Sequence, residues 1–103
     1  MCGILISNAN LALFKKALSQ QSFRGPDGSK TLKFGNVMFG FNYLSITGRN
    51  KNYWQPYRLK NLILLFNGEI YNFKKLNKKI KKVNKNFQSD SDTKTLIHYF
   101  FYF

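Results

Sequence analysis

Apolar and polar positions in the first half of the chain follow the spacing of strands and one helix. Residues 3–7 are mostly apolar, with β-prone residues at Ile4 and Ile6, which predicts a short buried strand. Apolar residues then recur at three- and four-residue steps, which predicts a helix over 11–21 with Asn10 as its N-cap. The stretch RGPDGS at 24–29 is rich in Gly, Pro and Asp and predicts a loop.

Two further strands are predicted at 31–34 and 36–47, separated at Gly35-Asn36. Alternate positions of the second strand place large apolar residues on one face: Val37, Phe39, Phe41 and Tyr43. A polar loop that Gln55-Pro56 closes follows this strand. The continuous apolar run at 61–66 then predicts a strand that is covered on both faces.

The last third of the chain predicts two helices. In the lysine-rich segment 74–85, a stripe of apolar residues recurs at i, i+4 and i+7, formed by Leu76, Ile80 and Val83. This spacing predicts an amphipathic helix with its lysines in solvent. A final helix is predicted over 92–103, with Ser91 or Asp90 as its cap. Its inward positions are expected to be Leu96, Ile97 and Phe100.

The end of the chain lacks the usual signals that stop a helix. Residues 97–103 contain no glycine, no proline and no cationic last turn, and they end on a run of aromatic side chains. We therefore expect the chain to be cut short, either as a fragment or as a truncated reading frame.

Composition indicates one small domain, because a chain of 103 residues has only a modest core. The sequence has no run of eighteen apolar residues and no signal-peptide pattern, which argues against a membrane partner. A single cysteine excludes an internal disulfide and agrees with a reducing compartment. We therefore expect a cytoplasmic protein.

The charge balance is strongly basic, with 17 Lys and Arg against 4 Asp and Glu. Clustered cations attract phosphate, which raises nucleic acid as a possible partner. Arginine, which suits bidentate contacts with phosphate or guanine, accounts for only three of the cations. Abundant Lys and Asn are also typical of codons rich in A and T. Nucleic acid is therefore not the partner that the sequence favours.

The single cysteine stands at position 2, directly behind the initiator methionine. If Met1 is removed, Cys2 carries both its thiol and the free α-amino group. This amine has a pKa of about 7.7–8.0, so it can take the thiol proton directly or through a water molecule. The bland alternative is that Cys2 is a small hydrophobic residue at a frayed terminus.

A second candidate feature is the NGE at 67–69, which follows the apolar run at 61–66. The side-chain amide of Asn67 and the backbone N–H of Gly68 can both donate to an oxyanion. Glu69 adds a carboxylate beside them. Asn-Gly is also a common turn dipeptide, so the motif alone does not decide between a turn and a site.

The motifs in combination resemble a known family. MCGI at 1–4, RGPD at 24–27, LSI at 44–46, QP at 55–56, NGEIYN at 67–72 and SD at 91–92 occur in this order. Together they resemble the class II glutamine amidotransferase domain that begins glutamine-dependent asparagine synthetases. The resemblance covers nearly the whole chain.

The resemblance implies a set of site residues. Cys2 would be the N-terminal nucleophile that attacks the side-chain amide of glutamine, and Asn67 with Gly68 would form the oxyanion hole. Glu69 and Asp92 would bind the α-ammonium group of the substrate. The remaining assignments are the backbone around Leu44 and Ile46 as pocket lining, Arg24 and Asp27 as loop-shaping residues, Asp90 as a cap, and Tyr71 and Asn72 as support for the NGE turn.

One position departs from the family pattern. The family usually has an arginine directly before LSI, where it binds the α-carboxylate of glutamine, and this chain has Tyr43 there. A phenol carries no charge and makes a weaker contact than a bidentate arginine. Arg49 could reach in from the following loop. Otherwise the carboxylate is held differently, glutamine binds weakly, or ammonia is used directly.

The resemblance also sets expectations for fold, activity and partners. We expect an α+β fold that forms part of a four-layer αββα sandwich, with residues 1–103 as the N-terminal part of the amidotransferase domain. The chain would hydrolyse glutamine to glutamate and ammonia for a C-terminal or separate synthetase domain, which would amidate aspartate. The glutaminase part would need no cofactor or metal, whereas that domain would use ATP and Mg²⁺. The alternative is an inactive, basic module that binds nucleic acid or another polyanion.

Overall fold

Helices and antiparallel strands share the described chain, residues 2–44 and 54–103, in a computed structural model. This mixture confirms an α+β fold. The chain divides into two units. The first contains Met1–Pro56 and Leu65–Asn67, and the second contains Tyr57–Leu64 and Gly68–Phe103.

The first unit is built on a three-stranded antiparallel sheet. Its elements are β1 (Gly3–Ser7), α1 (Leu11–Gln20), a 3₁₀ turn at Ser22–Arg24, β2 (Gly28–Phe34) and β3 (Val37–Tyr43). The central strand is β3, which pairs with β1 and with β2. The predicted strand at 3–7, the helix after Asn10 and the two strands joined at Gly35-Asn36 are confirmed, although 45–47 of the last prediction lie outside the described residues.

The predicted loop at 24–29 is wrong at its end, because β2 begins at Gly28 rather than at Thr31. Gly28 pairs with Tyr43 and Ser29 pairs with Asn42. Gly28 has a φ of 154°, which side chains rarely allow, and a Cβ there would lie 2.5 Å from the Trp54 ring. The turn signal of this glycine therefore marks a special strand conformation rather than a loop.

The core of the first unit lies between α1 and one face of β3. Phe14, Leu18 and Met38 are buried together, and Leu5 packs against them. Gly40 permits this close approach, since a Cβ there would lie 2.8 Å from the Phe14 ring. The alternate residues Phe39, Phe41 and Tyr43 of β3 therefore lie on the face that α1 does not cover.

Hydrogen bonds satisfy both ends of α1. The Leu13 N–H donates to the Asn10 side chain at 2.9 Å, which confirms the predicted N-cap. At the other end, the Asn42 side-chain amide donates to the Leu18 carbonyl at 2.8 Å. Asn42 is only 2% exposed. The helix is thereby fixed to the central strand by a buried polar contact as well as by apolar packing.

The second unit contains β4 (Tyr57–Leu59), β5 (Leu62–Leu64), α2 (Phe73–Val83) and α3 (Asp92–Tyr102). The strands β4 and β5 form an antiparallel pair, and α3 contacts both of them as well as α2. Ile80 and Ile97 are buried as predicted. Ser91 caps α3, with its side chain accepting from the Lys94 N–H, so the choice between Ser91 and Asp90 is settled for Ser91.

The predicted strand at 61–66 is wrong in length and in burial. The observed β5 has three residues, Leu62–Leu64, and all of them are half-buried. Within the described chain β5 pairs with β4, whereas Leu65–Asn67 belong to the first unit. The apolar run at 61–66 therefore contains a strand of only three residues, and the chain beyond Leu64 is not part of it.

Two predicted core positions of the helices are exposed. Val83 is 56% exposed and Phe100 is 69% exposed. Polar residues take part of the interior instead, since Thr95 is fully buried and its hydroxyl lies 2.6 Å from Asn77 Oδ1 and 2.8 Å from the Ser91 carbonyl. Apolar periodicity does not reveal burial that hydrogen bonds make possible.

Burial and the neighbouring Lys94 ammonium lower the pKa of His98 from its ordinary value of 6.5. The imidazole lies 4.8 Å from the Phe87 ring, and its Nδ1 has no partner among the described residues.

As pH falls below 6.5, the imidazole of His98 binds a proton in the unfolded chain before it does so in the folded chain, so folding becomes less favourable. We expect the free energy of unfolding to decrease between pH 7 and pH 5 and to decrease less in His98→Gln. Urea titrations at both pH values measure the free energy of unfolding. An equal decrease between pH 7 and pH 5 in the two proteins would contradict the prediction.

Candidate active site

The Cys2 thiol is half-buried and lies beside the backbone of Leu44. The Leu44 N–H donates to Cys2 Sγ at 3.4 Å, and the thiol lies 3.8 Å from the Leu44 carbonyl oxygen. This contact follows from the pairing of β1 with β3, in which Gly3 lies opposite Asn42. The backbone of Leu44 therefore contacts the sulfur through both its N–H and its carbonyl oxygen, which fixes the position of the thiol at the end of the sheet.

Asn67 belongs to the same unit and contacts Cys2. Its side-chain Nδ2 donates to the Cys2 carbonyl oxygen at 3.3 Å. The residue before it, Phe66, is held on both sides by Gln55, whose Nε2 donates to the Phe66 carbonyl at 2.9 Å and whose Oε1 accepts from the Phe66 N–H. Gln55 is only 6% exposed. The buried side-chain amide of Gln55 therefore makes the two backbone hydrogen bonds that a neighbouring strand would make. These bonds hold Asn67 near Cys2.

A cavity of about 430 Å³ lies beside the thiol. It is lined by Cys2, Ile4, Gln21, Arg24 and Asn67. A volume of this size is within the range of small-molecule sites. The cavity therefore brings a thiol, an amide donor and a cation to one place.

Gln21 is a site residue that sequence reasoning missed. Its Oε1 is buried and has no hydrogen-bond partner among the described residues. A Cβ at Gly3 would lie 3.2 Å from this oxygen, so the unpaired acceptor faces the backbone directly after Cys2. The only signal in the sequence is its position three residues before Arg24, at the end of the first helix.

Tyr43 packs as an aromatic residue. Its ring stacks on Trp54 with the ring centroids 4.6 Å apart. Its backbone carbonyl accepts from the Asp27 N–H at 3.0 Å, which joins the RGPD turn to the end of β3. Ile46 and Arg49, two further predicted residues, lie outside the described residues.

The remaining predicted residues belong to the second unit. Both carboxylate oxygens of Asp92 accept backbone hydrogen bonds, from the Ile70 N–H at 3.0 Å and from the Thr93 N–H at 2.8 Å. Asp92 therefore holds the segment that follows Gly68 and Glu69. The support expected from the Tyr71 side chain is not observed, since this side chain is 88% exposed.

Gln55 makes a testable contribution to stability. Gln55→Ala leaves the half-buried N–H and carbonyl of Phe66 without their partners, and each lost partner costs toward the lower end of about 1–3 kcal/mol. We expect urea unfolding to show a loss of about 2–4 kcal/mol. Gln20→Ala changes an exposed glutamine of the same unit and is the matched control, with an expected change within about 0.5 kcal/mol. Similar losses in the two variants would show that the hydrogen bonds between Gln55 and Phe66 do not form in solution.

Comparison with known proteins now identifies the class. Residues 1–102 match the family described as "Glutamine amidotransferase domain". This chain therefore belongs to the glutamine amidotransferase domain family, and the class II assignment drawn from its motifs is confirmed.

The curated relatives are glutamine-hydrolyzing asparagine synthetases. The chain is 30% identical to asparagine synthetase 3 of Bacillus subtilis (strain 168), over 95% of its own length and 18% of that protein. It is 38% identical to asparagine synthetase 1 of the same organism, over 72% of its own length and 12% of that protein. The chain thus spans less than one-fifth of these relatives. No solved structure matches it. Across the described residues, no helix has the length and apolar character needed to cross a bilayer.

Proposed function

We propose that this chain is the glutaminase part of an asparagine synthetase-like enzyme and that Cys2 is its nucleophile. The observation that carries the proposal is the cavity in which the Cys2 thiol and the Asn67 amide meet. The family assignment agrees with it. The four-layer sandwich of this class is part of the same proposal.

The proposed reaction uses the chain's own amine as a base. Removal of Met1 frees the α-amino group of Cys2, which accepts the thiol proton. The thiolate adds to the side-chain carbonyl carbon of glutamine and forms a tetrahedral oxyanion. The protonated amine then gives its proton to the leaving nitrogen, the C–N bond breaks, and ammonia departs. Water hydrolyses the resulting thioester to glutamate and restores the thiol.

The oxyanion would be bound by the Asn67 side chain and the Gly68 N–H. Such donors act because they are already oriented when the charge develops. The bonds from Gln55 to Phe66 support this role by fixing the backbone directly before Asn67. The amide of Asn67 can exchange the Cys2 carbonyl for the oxyanion without a change of fold.

The substrate's charged groups need counter-charges. Glu69 and Asp92 are the proposed partners of the α-ammonium group. For the α-carboxylate, Arg24 is the cation that lines the cavity within the described chain. Tyr43, which stands where the family has an arginine, is engaged with Trp54 and supplies no charge. We therefore assign the carboxylate to Arg24 rather than to Tyr43, while the backbone near Leu44 and Ile46 lines the pocket.

The ammonia would pass to a synthetase domain that amidates aspartate. This step rests on the names of the relatives, of which the chain covers only a small part. ATP and Mg²⁺ would bind that domain, and the glutaminase chemistry would use neither. The enzyme would act in the cytoplasm, because a free thiol requires reducing conditions.

A glutamine-shaped electrophile tests the nucleophile. We expect a diazoketone analogue of glutamine to label the chain once, at Cys2, and glutamine to protect it. Intact-mass spectrometry reports both the adduct and the loss of Met1, and peptide mapping locates the adduct. Cys2→Ala is the control and should not be labelled. Labelling of material that retains Met1, or labelling that survives in Cys2→Ala, would overturn the proposed nucleophile and favour the alternative of an inactive binding module.

Asn67 can be tested separately. Asn67→Ala removes one oxyanion donor, so ammonia release from glutamine should slow by about 100- to 1000-fold with little change in KM. Asn8→Ala, a change at an exposed asparagine of the same unit, should leave the rate unchanged. An Asn67→Ala enzyme with the original kcat would show that its amide binds the Cys2 backbone and nothing else.

A further inference from the structure

The outer side of α2 carries a dense, uniform positive charge. The lysine face consists of Lys74, Lys75, Lys78, Lys79, Lys81 and Lys82, all of which are exposed. At 3.6 residues per turn these positions fall within an arc of about 160°. Ile80, on the other side of the helix, is fully buried. The lysine face is therefore one continuous surface of about 12 Å in length.

The lysine face has no acidic residue in its own segment, since no Asp or Glu occurs from Ile70 to Ser89. Like charges lie four residues apart in the pairs Lys74–Lys78, Lys75–Lys79 and Lys78–Lys82. Such pairs destabilise a helix instead of stabilising it. A bound polyanion would remove this repulsion.

Codon bias does not explain the charge imbalance. Codons rich in A and T favour Lys and Asn, but the codons GAA and GAT would supply Glu and Asp equally well. The chain nevertheless has 17 cations and 4 acids. The shortage of acids needs a cause of its own, and an electrostatic partner supplies one.

We propose that the lysine face binds the phosphate backbone of a nucleic acid without reading its sequence. Lysine is suited to this task because a point charge binds phosphate without a fixed orientation. Phosphates of one strand are about 3.4 Å apart along a duplex, so the lysine face spans about four of them. The face has no arginine for bidentate base contacts, which is why binding is independent of sequence.

Two other anionic partners fit the surface less well. A helix that lies on a membrane inserts its apolar side, but in α2 this side holds the buried Ile80 and packs against α3. Protein interfaces are depleted in lysine and enriched in aromatic residues and arginine, and Val83 is the one large hydrophobic residue that α2 exposes. A phosphate backbone requires neither an apolar nor an aromatic contact.

Fluorescence anisotropy with a labelled 20-base-pair DNA duplex and an RNA of the same sequence tests the proposal. We expect affinity to fall by roughly 10³-fold or more between 50 and 200 mM salt, as phosphate contacts release counterions. In Lys78→Gln/Lys81→Gln/Lys82→Gln, the slope of log K against log salt should decrease by about 2–3. The duplex and RNA arms show which nucleic acid is preferred, and binding of either one supports the proposal.

A charge-matched control separates the lysine face from net charge. Lys15→Gln/Lys16→Gln/Lys33→Gln removes the same charge from exposed positions of the first unit, and it should weaken binding much less. Equal losses in the two triple variants would overturn the proposal, as would tighter binding of polyglutamate or of anionic lipid vesicles in competition. Cys2→Ala should bind nucleic acid normally. The nucleic-acid proposal can therefore be tested independently of the glutaminase proposal. Circular dichroism confirms that each variant keeps its helices.

Discussion

The register between β1 and β3 is the constraint on which the thiol site depends. Gly3 lies opposite Asn42 in this antiparallel pair, so Cys2, directly before β1, lies beside Leu44, directly after β3. The Leu44 N–H then reaches Cys2 Sγ. A slip of one residue would turn every side chain of β1 to the other face. The same strand pairing also places Asn42 where its amide binds the end of α1, so the helix, the register and the thiol support one another.

The second constraint is the pair of bonds between Gln55 and Phe66. A segment of three residues, Leu65–Asn67, has no strand partner in the described chain and would otherwise leave its backbone groups unpaired. One buried amide satisfies both groups of Phe66. It replaces a length of sheet with a single side chain. Precision in the site is thus obtained from two long-range polar contacts rather than from a large core, which suits a chain of 103 residues.

The sequence allowed the helices, the N-cap at Asn10 and the strand pair joined at Gly35-Asn36 to be predicted, because caps, turns and periodicity are local properties. It did not predict that the run at 61–66 would leave its strand after Leu64, since this depends on the distant Gln55. The family motifs pointed to Cys2 and Asn67, and the structure brings these two together. They did not point to Gln21, because an unpaired buried acceptor is recognisable only once its neighbours are known.

Both proposed activities are compatible with one strongly basic chain for an electrostatic reason. Glutamine has no net charge at neutral pH, so a formal charge of +13 neither attracts it nor repels it from the Cys2 cavity. Its recognition must therefore rest on short-range partners such as Arg24, whose field acts within about a Debye length of 8 Å. A polyanion, in contrast, is attracted by the summed charge and is held where lysines are densest. Glutamine binding thus depends on charges close to it, whereas polyanion binding depends on the summed charge of the whole chain.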